Sequence, residues 1–352
     1  MPLSSLAHIP VSCSGGAYQV SVGPGALELL PEAVAKSGAR RVAVITDSNV
    51  GPLHLSRVLS FLPPDSPHFI FPAGEASKHL GTIGEMLDFL AREQLTRSDL
   101  VVALGGGVTG DMAGFTAAIY LRGISVLQLP TTLLAAIDSS VGGKTGVDLP
   151  QGKNLAGAFW QPRAVLCDTD LLSTLPRRIL FDGVAEAVKY GVIRDAALFR
   201  LLATPGGFQE NLRQVIARCV EIKAEIVAGD EFDRGERALL NFGHTLGHAV
   251  ERESDFAISH GQAVAIGMVA VTRLAEGRGW CEAGLHAQIA QALELYELPV
   301  ELPYPWERLA EAMLHDKKRR GNELTLVVPE CLGRCVLKTL PVAELAGERL
   351  LP

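Results

Sequence analysis

The stretch DLVVALGGGVTGDMAGFTAAIY, residues 99–120, decides the fold because it joins an apolar run to a glycine-rich turn and a helical pattern. Gly105, Gly107 and Gly110 fit the G-x-G-x-x-G spacing of a strand-to-helix turn. Glycine has no Cβ where backbone must approach a phosphate, and a helix amino terminus offers free N–H groups and a positive dipole end. The stretch therefore predicts a nucleotide-binding turn in a parallel sheet.

Short apolar runs alternate with helical patterns through the first half of the chain. The runs are RRVAVITD (40–47), HFIFPAGE (68–75), ISVLQLPTT (124–132) and AVLCD (164–168). Strands covered by helices on both faces read as continuous apolar runs, which predicts a parallel sheet. Beyond TLPRR (174–178) the pattern is helical nearly throughout. The sequence thus predicts an α/β protein with a Rossmann-like nucleotide-binding domain over 1–177 and an all-helical domain over 178–352.

Two further segments stand apart from this alternation. DSSVGGKTGVDLPQGKNLAGAFWQP (138–162) is rich in glycine, lysine and asparagine and has little periodicity. Long irregular segments commonly carry function, so it predicts a ligand-binding loop. CLGRC (331–335) separates two β-branched runs, which predicts the turn of a β-hairpin rather than a metal site.

The glycine motif lacks one part of the usual dinucleotide fingerprint. An acidic residue about 20 positions further on ordinarily grips the ribose 2′-hydroxyl, but that region reads IYLRGISVLQLP (119–130). Asp47 and Glu75 instead follow two earlier predicted strands. If these acids hold the ribose, they favour NAD over NADP, because a carboxylate repels a 2′-phosphate.

A polar line runs along one face of a predicted helix in the second half. Arg237, Asn241, His244, His248 and Glu251 follow each other at steps of four, three, four and three, which places them on one helix face. The residues between them are mostly apolar, which predicts that the line is buried. Buried polar side chains need hydrogen-bond partners or a functional role. On spacing alone, the two histidines fit either a metal pair or a solvated face.

Glu186 and His260 are further candidate metal ligands. A catalytic zinc site has about three protein ligands and one open position. Glu186 lies three residues from Lys189 in an otherwise apolar pattern, where two charges are costly unless a metal or ligand compensates them. Cations recur in apolar or glycine-rich settings, which predicts a small, strongly anionic substrate. These cations are Arg122, Lys144, Lys153, Lys189, Lys223, Arg237 and the lysines of DKK (316–318).

Composition excludes several classes of protein. The 352-residue chain is 48% hydrophobic and 20% charged, which is too apolar for disorder. Its net charge is −7 and its longest basic block is DKKRR (316–320), so nucleic acid is not an expected partner. No apolar run reaches the roughly 20 residues that span a bilayer. The amino terminus resembles no secretory signal, so a cytoplasmic protein is expected, and six scattered cysteines argue against a disulfide framework.

Taken in order, the motifs resemble those of the 3-dehydroquinate synthases, within the sugar phosphate cyclases, over nearly the whole chain. They are VITDSN (44–49), PAGEASK (72–78), LGGGVTGDMAGF (104–115), LPTTLLAAIDSSVGGKTGVD (129–148), GKNLAGAFWQP (152–162), GVAEAVKYG (183–191), LLNFGHTLGHAVE (239–251), HGQAVAIGM (260–268) and DKK (316–318). The resemblance implies conversion of 3-deoxy-D-arabino-heptulosonate 7-phosphate to 3-dehydroquinate. In that family NAD takes a hydride, phosphate leaves by β-elimination, the hydride returns, and an intramolecular aldol addition closes the ring.

The same resemblance implies separate roles for the two histidines of the polar line. By motif, it assigns Zn²⁺ or Co²⁺ to Glu186, His244 and His260. His248 is then not a ligand but takes part in proton transfer at the oxidised carbon, and Glu251 becomes a support residue.

For the substrate, the resemblance places the carboxylate at Lys223 and Arg237. It places the phosphate near Arg122, Lys144, Asn154 and Lys317, and it puts Lys153 between cofactor and substrate. Asp138 and Lys189 would contact substrate hydroxyls. In the family the arginine matching Arg122 comes from the neighbouring subunit, which implies a homodimer. The implied NAD-binding residues are Asp47, Asn49, Glu75, Lys78, Gly106, Gly107, Val108, Asp111, Thr131, Thr132 and Thr174.

Three alternatives remain at this point. A different sugar phosphate cyclase would act on a substrate without a carboxylate, which leaves Arg237 without a task. A metal-dependent polyol dehydrogenase would take an uncharged substrate and accumulate NADH. An uncharged substrate would give Lys144 and Lys223 no role. A non-catalytic ligand-binding protein would lack a metal ligand or the relay histidine, and the sequence lacks neither.

Overall fold

A computed structural model describes residues 6–313, 323–341 and 344. By their contacts, these residues form two units. The first unit runs to Pro176 and also includes Ile216–Phe232. The second comprises Arg177–Val215 and the described residues from Asp233 onward. The sequence places one boundary after residue 177, and a division into functional domains there stays a prediction.

The first unit is built on a mainly parallel sheet. Its strands, with a separate hairpin, are β1 (Ala7–Cys13), β2 (Gly16–Gly23), β3 (Val42–Asp47), β4 (His68–Phe71), β5 (Leu100–Gly105), β6 (Ser125–Pro130), β7 (Lys144–Leu149), β8 (Gly152–Phe159) and β9 (Ala164–Asp168). The sheet order among the described residues is β1-β2-β9-β6-β5-β3-β4, and every pair except the antiparallel β1–β2 is parallel. The predicted α/β class is confirmed. The sequence analysis missed the β1–β2 pair.

Helices cover both faces of this sheet. They are α1 (Leu30–Ser37), α2 (Ser56–Leu59), α3 (Leu80–Arg92) and α4 (Gly107–Ile119). Successive residues of β3 enter different apolar clusters: Ile45 packs with Met86 of α3 and Met112 of α4, whereas Val44 packs with Leu30 and Val58. Because side chains alternate along a strand, this division means that both faces are buried.

The segment 138–162 is not the long loop that the sequence predicted. Most of it forms an antiparallel hairpin of β7 and β8, with Lys144 paired to Phe159. Glycine permits the close pairing, since a Cβ on Gly157 would lie 2.1 Å from the carbonyl oxygen of Thr145. The glycines and the weak periodicity that suggested a loop therefore reflect tight backbone packing.

The second half of the chain is mainly helical. Its elements are α5 (Arg177–Arg194), α6 (Ala196–Leu202), α7 (Gly207–Glu210), α8 (Leu212–Gly229), α9 (His244–Glu253), α10 (His260–Gly277), α11 (Leu285–Glu294), α12 (Trp306–Met313), β10 (Glu323–Cys331) and β11 (Arg334–Pro341). The β10–β11 pair confirms the predicted hairpin at 331–335 and corrects the expectation of an all-helical second half. Among the described helices, none has both the length and the apolarity to cross a bilayer.

The polar line at 237–251 does not lie on one continuous helix. Glu236–Asn241 form a 3-10 helix, the backbone takes a left-handed conformation at Gly243 with φ 78°, and α9 begins at His244. A Cβ on Gly243 would lie 2.8 Å from the carbonyl oxygen of Val264 in α10. The close approach of α10 thus requires glycine here, and it breaks the predicted helix between Arg237 and the histidines.

Candidate functional site

The predicted cofactor residues gather at one edge of the first unit's sheet. Thr46 pairs with Leu104, and Gly105 pairs with Pro130, so the carboxyl ends of β3, β5 and β6 coincide. The segments that leave these ends carry Asp47, Asn49, Gly106, Gly107, Val108, Thr131 and Thr132. In open parallel sheets, ligands bind outside this edge.

The start of α4 has the features of an anion site. Its N-cap residue, Gly106, supplies no side-chain acceptor for the first-turn N–H groups of the helix. A Cβ on Gly106 would lie 3.1 Å from the Thr132 methyl carbon. The buried hydroxyl of Thr131 has no hydrogen-bond partner among the described residues. N–H groups at the amino terminus of a helix and a nearby hydroxyl can donate hydrogen bonds to a pyrophosphate, so the start of α4 fits this group.

Asp47 and Thr174 already have protein partners. One carboxylate oxygen of Asp47 accepts the N–H groups of Asn49 and Val50 at 2.9 and 3.0 Å, and the other accepts the Thr109 hydroxyl at 3.0 Å. Thr174 contacts Nε2 of His54 at 2.9 Å. Asp47 therefore shapes the turn after β3, a role that the sequence reasoning missed.

A buried lysine joins predicted cofactor and substrate residues. The Lys78 ammonium donates to Asp111 and to Asn154, each at 2.7 Å. Burial opposes the charge, but Asp111 and Glu75 raise the pKa of Lys78 above its usual value. Burial raises the pKa of Asp111, while Lys78 acts in the opposite direction. Glu75 also lies 3.7 Å from the Lys153 ammonium.

The other predicted residues of the first unit are placed as follows. Asp138 accepts from the Lys223 ammonium at 2.8 Å through its carboxylate and also through its carbonyl oxygen. Lys144 is exposed at the start of β7. Arg122 is exposed in a short 3-10 turn with φ 66°.

Three predicted metal ligands of the second unit converge. Glu186 lies within α5, His244 is the first residue of α9, and His260 is the first residue of α10. One ligand atom from each lies within 4.8 Å of the others. Nε2 of His244 and Nε2 of His260 both lie 3.2 Å from the same Glu186 oxygen.

The donor set fits a divalent ion. Glu186 is fully buried, and among the residues that the structure describes neither of its carboxylate oxygens accepts a hydrogen bond of ordinary geometry. Nδ1 of His244 lies 3.1 Å from the Phe242 carbonyl oxygen, and the N–H donated there leaves Nε2 with a lone pair. Nδ1 of His260 faces Glu251 at 3.6 Å. One carboxylate and two imidazoles accept either Zn²⁺ or Co²⁺.

The electrostatics of the cluster also favour a cation. Burial opposes ionisation of Glu186, yet Lys189 and His244 hold the pKa of that carboxyl well below its usual range. Burial lowers the pKa of His244 and keeps its imidazole neutral, as a ligand must be. Burial opposes protonation of His260, but Glu186 and Glu251 raise its pKa to about 10.

Contacts between α5 and α10 set the position of His260. Asp182, one turn before Glu186, accepts the hydroxyl of Ser259 and the N–H of Gln262 at the start of α10. A Cβ on Gly261 would lie 1.9 Å from the Asp182 carbonyl oxygen. The sequence reasoning missed Asp182, although an acid four residues before Glu186 on the same apolar helix was a usable signal.

His248 lies beside the cluster. Its ring centroid is 5.6 Å from that of His244 and 6.3 Å from that of His260. His248, Glu251 and His260 form a second group with ligand atoms within 4.8 Å of one another.

The remaining predicted residues of the second half are placed as follows. The Lys189 ammonium contacts the Glu186 carboxylate, and Arg237 is buried in the 3-10 helix. Lys317 lies outside the described residues.

Solved structures similar to this chain include two sugar phosphate cyclases. A 2-deoxy-scyllo-inosose synthase complexed with carbaglucose-6-phosphate, NAD⁺ and Co²⁺ is 25% identical, with a TM-score of 0.87 over 96% of this chain and 98% of that one. A 2-epi-5-epi-valiolone synthase from Streptomyces hygroscopicus subsp. jinggangensis 5008, with NAD⁺ and Zn²⁺ bound, is 29% identical, with a TM-score of 0.84 over 93% and 94%.

Sequence comparisons are more specific. The family model of the 3-dehydroquinate synthase N-terminal region matches residues 68–182, and that of the C-terminal region matches 183–319. A 3-dehydroquinate synthase of Streptococcus thermophilus is 43% identical over 349 residues, which cover 96% of this chain and 98% of that protein. This chain belongs to the 3-dehydroquinate synthase family.

Proposed function

We propose that the chain converts 3-deoxy-D-arabino-heptulosonate 7-phosphate to 3-dehydroquinate and phosphate, by the redox-neutral sequence described for the family. The observation that carries this proposal is the convergence of Glu186, His244 and His260 in a chain that belongs to the family. The α/β unit would then serve as the NAD-binding domain and the helical unit as the metal domain.

We assign the metal to Glu186, His244 and His260. A Zn²⁺ or Co²⁺ ion bound there would acidify a substrate hydroxyl and orient it for hydride loss to NAD. The Phe242 carbonyl contacts Nδ1 of His244 and Glu251 faces Nδ1 of His260, which would leave each Nε2 available to hold such an ion. Lys189 neutralises part of the carboxylate charge, and its ammonium is assigned to a substrate hydroxyl.

His248 is assigned to proton transfer. It follows His244 by one turn of α9, and its ring lies beside two proposed ligands, although it is not a member of the Glu186, His244 and His260 group. An imidazole titrates near neutral pH, so it can accept and return a proton where the hydroxyl carbon is oxidised and reduced.

Cations and amide donors are assigned to the two anionic ends of the substrate. The carboxylate is assigned to Lys223 and Arg237, because a guanidinium offers paired donors to a carboxylate. The phosphate is assigned to Lys144, Asn154 and Arg122, together with Lys317. Asp138 is assigned to a substrate hydroxyl, and its contact with Lys223 keeps both side chains in place.

NAD is assigned to the carboxyl edge of the parallel sheet. The start of α4 would hold the pyrophosphate, with Gly106, Gly107, Val108 and Thr131 nearest to it. Asp47, Asn49 and Glu75 are assigned to the ribose side, and Lys78, Asp111, Thr132, Thr174 and Lys153 complete the set.

The proposed assembly is a homodimer in which Arg122 acts in the site of the partner subunit. Its exposure in a left-handed turn supports a role outside its own fold. A cytoplasmic location is also proposed, since all six cysteines are free thiols.

The second candidate is another sugar phosphate cyclase, favoured by the backbone similarity to enzymes of that kind. The 43% identity to a 3-dehydroquinate synthase, against 25% and 29% for those two cyclases, favours the first candidate.

One assay distinguishes these functions. The purified protein is incubated with Zn²⁺, catalytic NAD⁺ and 3-deoxy-D-arabino-heptulosonate 7-phosphate, while phosphate and NADH are followed. Phosphate in many-fold excess over NAD, without lasting NADH, is the expected result. Release of phosphate from sedoheptulose 7-phosphate or glucose 6-phosphate alone would establish a different cyclase. NADH accumulating with simple polyols would establish a dehydrogenase.

A further inference from the structure

The tip of the β7–β8 hairpin is tied to the segment 75–79 by a closed set of hydrogen bonds within the first unit. The Asp148 N–H donates to the Lys78 carbonyl oxygen at 2.8 Å. The Asp148 carboxylate accepts the Asn154 N–H at 2.7 Å. The Lys78 ammonium in turn donates to the Asn154 side-chain oxygen at 2.7 Å. Asp148 thus holds the main chain of Asn154, and Lys78 holds its side chain.

The backbone of Asn154 needs such support. Its φ of 54° lies in the left-handed region, which is unfavourable for L residues, although asparagine tolerates it better than most. The Asp148 carboxylate accepts the N–H of this residue, and a hydrogen bond to a charged acceptor is stronger than a neutral one. Asp148 therefore stabilises a conformation that the chain otherwise disfavours.

The side chain of Asn154 is oriented by the same network. An amide has one acceptor oxygen and one donor nitrogen on opposite sides of its carbon. Since the oxygen accepts from Lys78, Nδ2 is turned to the other side, and the residue is exposed. Lys78 itself is only 5% exposed and is held by Asp111, so it is a fixed donor. Two N–H donors are thereby presented on the exposed side of the residue, where they can donate to an anion.

We infer that Asp148 is a positioning residue for the substrate phosphate. It acts through Asn154 by fixing the left-handed backbone from which the amide donors reach the anion. This inference rests on the proposed function, which assigns the phosphate to Asn154. Through the Lys78 carbonyl, Asp148 also ties the phosphate donor to the segment that carries Glu75 and Lys78, both assigned to NAD.

Inorganic phosphate is the probe for the test. Its dissociation constant is measured by calorimetry on protein loaded with Zn²⁺ and NAD⁺. Asp148→Ala is expected to weaken phosphate binding about tenfold, since a net loss of about 1.4 kcal/mol corresponds to that factor. Asp148→Asn keeps a side-chain acceptor and is expected to stay within about threefold of wild type. Asp88→Ala removes an exposed carboxylate of α3 and is the charge-matched control, with unchanged affinity expected.

A double-mutant cycle separates positioning from general damage. In the Asn154→Gly background the amide donors are gone and glycine adopts the left-handed backbone freely. Adding Asp148→Ala should then cause no further loss of phosphate affinity. The inference is overturned if Asp148→Ala binds phosphate like wild type, or if its effect is equally large in the Asn154→Gly background.

The test remains decisive if Asp148→Ala alone does not fold. The double variant, in which glycine removes the strain, is then compared with Asn154→Gly: equal affinities support the inference and a weaker double variant overturns it. Phosphate binding needs no turnover. A wild-type protein that binds phosphate but releases none from the heptulosonate would therefore count against the proposed function, whereas active wild type with an unaffected Asp148→Ala counts against this inference alone.

Discussion

At the scale of single residues, hydrogen-bond partners distinguish His244 from His248. Both lie on one face of α9, four residues apart. His244 directs Nε2 towards Glu186 because its Nδ1–H is taken by the Phe242 carbonyl. The sequence spacing alone could not separate a ligand from a proton relay, because neither Phe242 nor Glu186 is part of the HxxxH pattern.

Substitution of two histidines tests this division of roles. His248→Ala should keep its bound metal and lose turnover by about 10²–10⁴-fold, the usual contribution of a positioned acid or base. His260→Ala should lose the metal. Metal content after dialysis and phosphate release are measured on the same samples. Equal metal loss in both variants would contradict the assignment of His248.

Glu251 provides a second test at this scale. It is 3% exposed and lies 3.6 Å from Nδ1 of His260, so it can orient this imidazole, and its assigned role is to support a ligand rather than to be one. Glu251→Gln should weaken Co²⁺ binding by about 10–100-fold, as measured for other carboxylate–histidine–metal contacts. The dissociation constant follows from a titration of the visible Co²⁺ absorption. An unchanged constant would show that Glu251 serves only the packing of α9.

At the scale of elements, the start of α10 decides where His260 lies. Gly261→Ala would bring a methyl group within 1.9 Å of the Asp182 carbonyl oxygen and force α10 away from α5. We expect both a lower melting temperature and weaker metal binding, because His260 and Glu186 lie on the two separated helices.

A matched control lies at the other end of the same helix. A Cβ added to Gly277 would have nothing within 4 Å, so Gly277→Ala should raise stability by about 0.5–1 kcal/mol without affecting the metal. Thermal unfolding and Co²⁺ titration of both variants are the measurements. Normal metal affinity in Gly261→Ala would mean that the start of α10 does not set the position of His260.

The elements also show where sequence reasoning succeeds. β3, β5 and β6 were predicted because strands buried on both faces read as continuous apolar runs. The glycines at 105–107 located the start of α4, since a tight strand-to-helix turn has few other solutions. The residues named for the metal site are those that converge in the structure, although their roles stay predictions.

The failures have physical reasons as well. The hairpin of β7 and β8 was taken for a loop because glycines pair its strands closely and leave little apolar pattern. The helix predicted from Arg237 to Glu251 is broken at Gly243 by packing against α10, a contact distant in sequence. A close contact between elements that are distant in sequence produces no periodic pattern. Its only trace in the sequence is the glycine at the point of contact.

At the scale of the whole molecule, the proposed metal ligands lie in the second unit and the residues of the predicted nucleotide turn lie in the first. Zn²⁺ alone should therefore slow amide exchange chiefly in α5, α9 and α10, and NAD⁺ alone chiefly around the start of α4. A ligand at one hundred times its dissociation constant stabilises by about 2.7 kcal/mol. Hydrogen exchange with mass spectrometry, on protein stripped with a chelator, is the measurement. Zn²⁺ protection confined to 100–131 would contradict the assignment.

The return of Ile216–Phe232 to the first unit affects how the chain is made. Lys223 supplies the partner of Asp138, so the first unit lacks this ion pair until the ribosome has synthesised the chain well beyond Pro176. Protein domains generally fold as units during synthesis. We therefore expect the first unit to complete its folding only after Arg177–Val215 of the other unit has been synthesised. We also expect the folding yield to depend on the speed of translation through this interval.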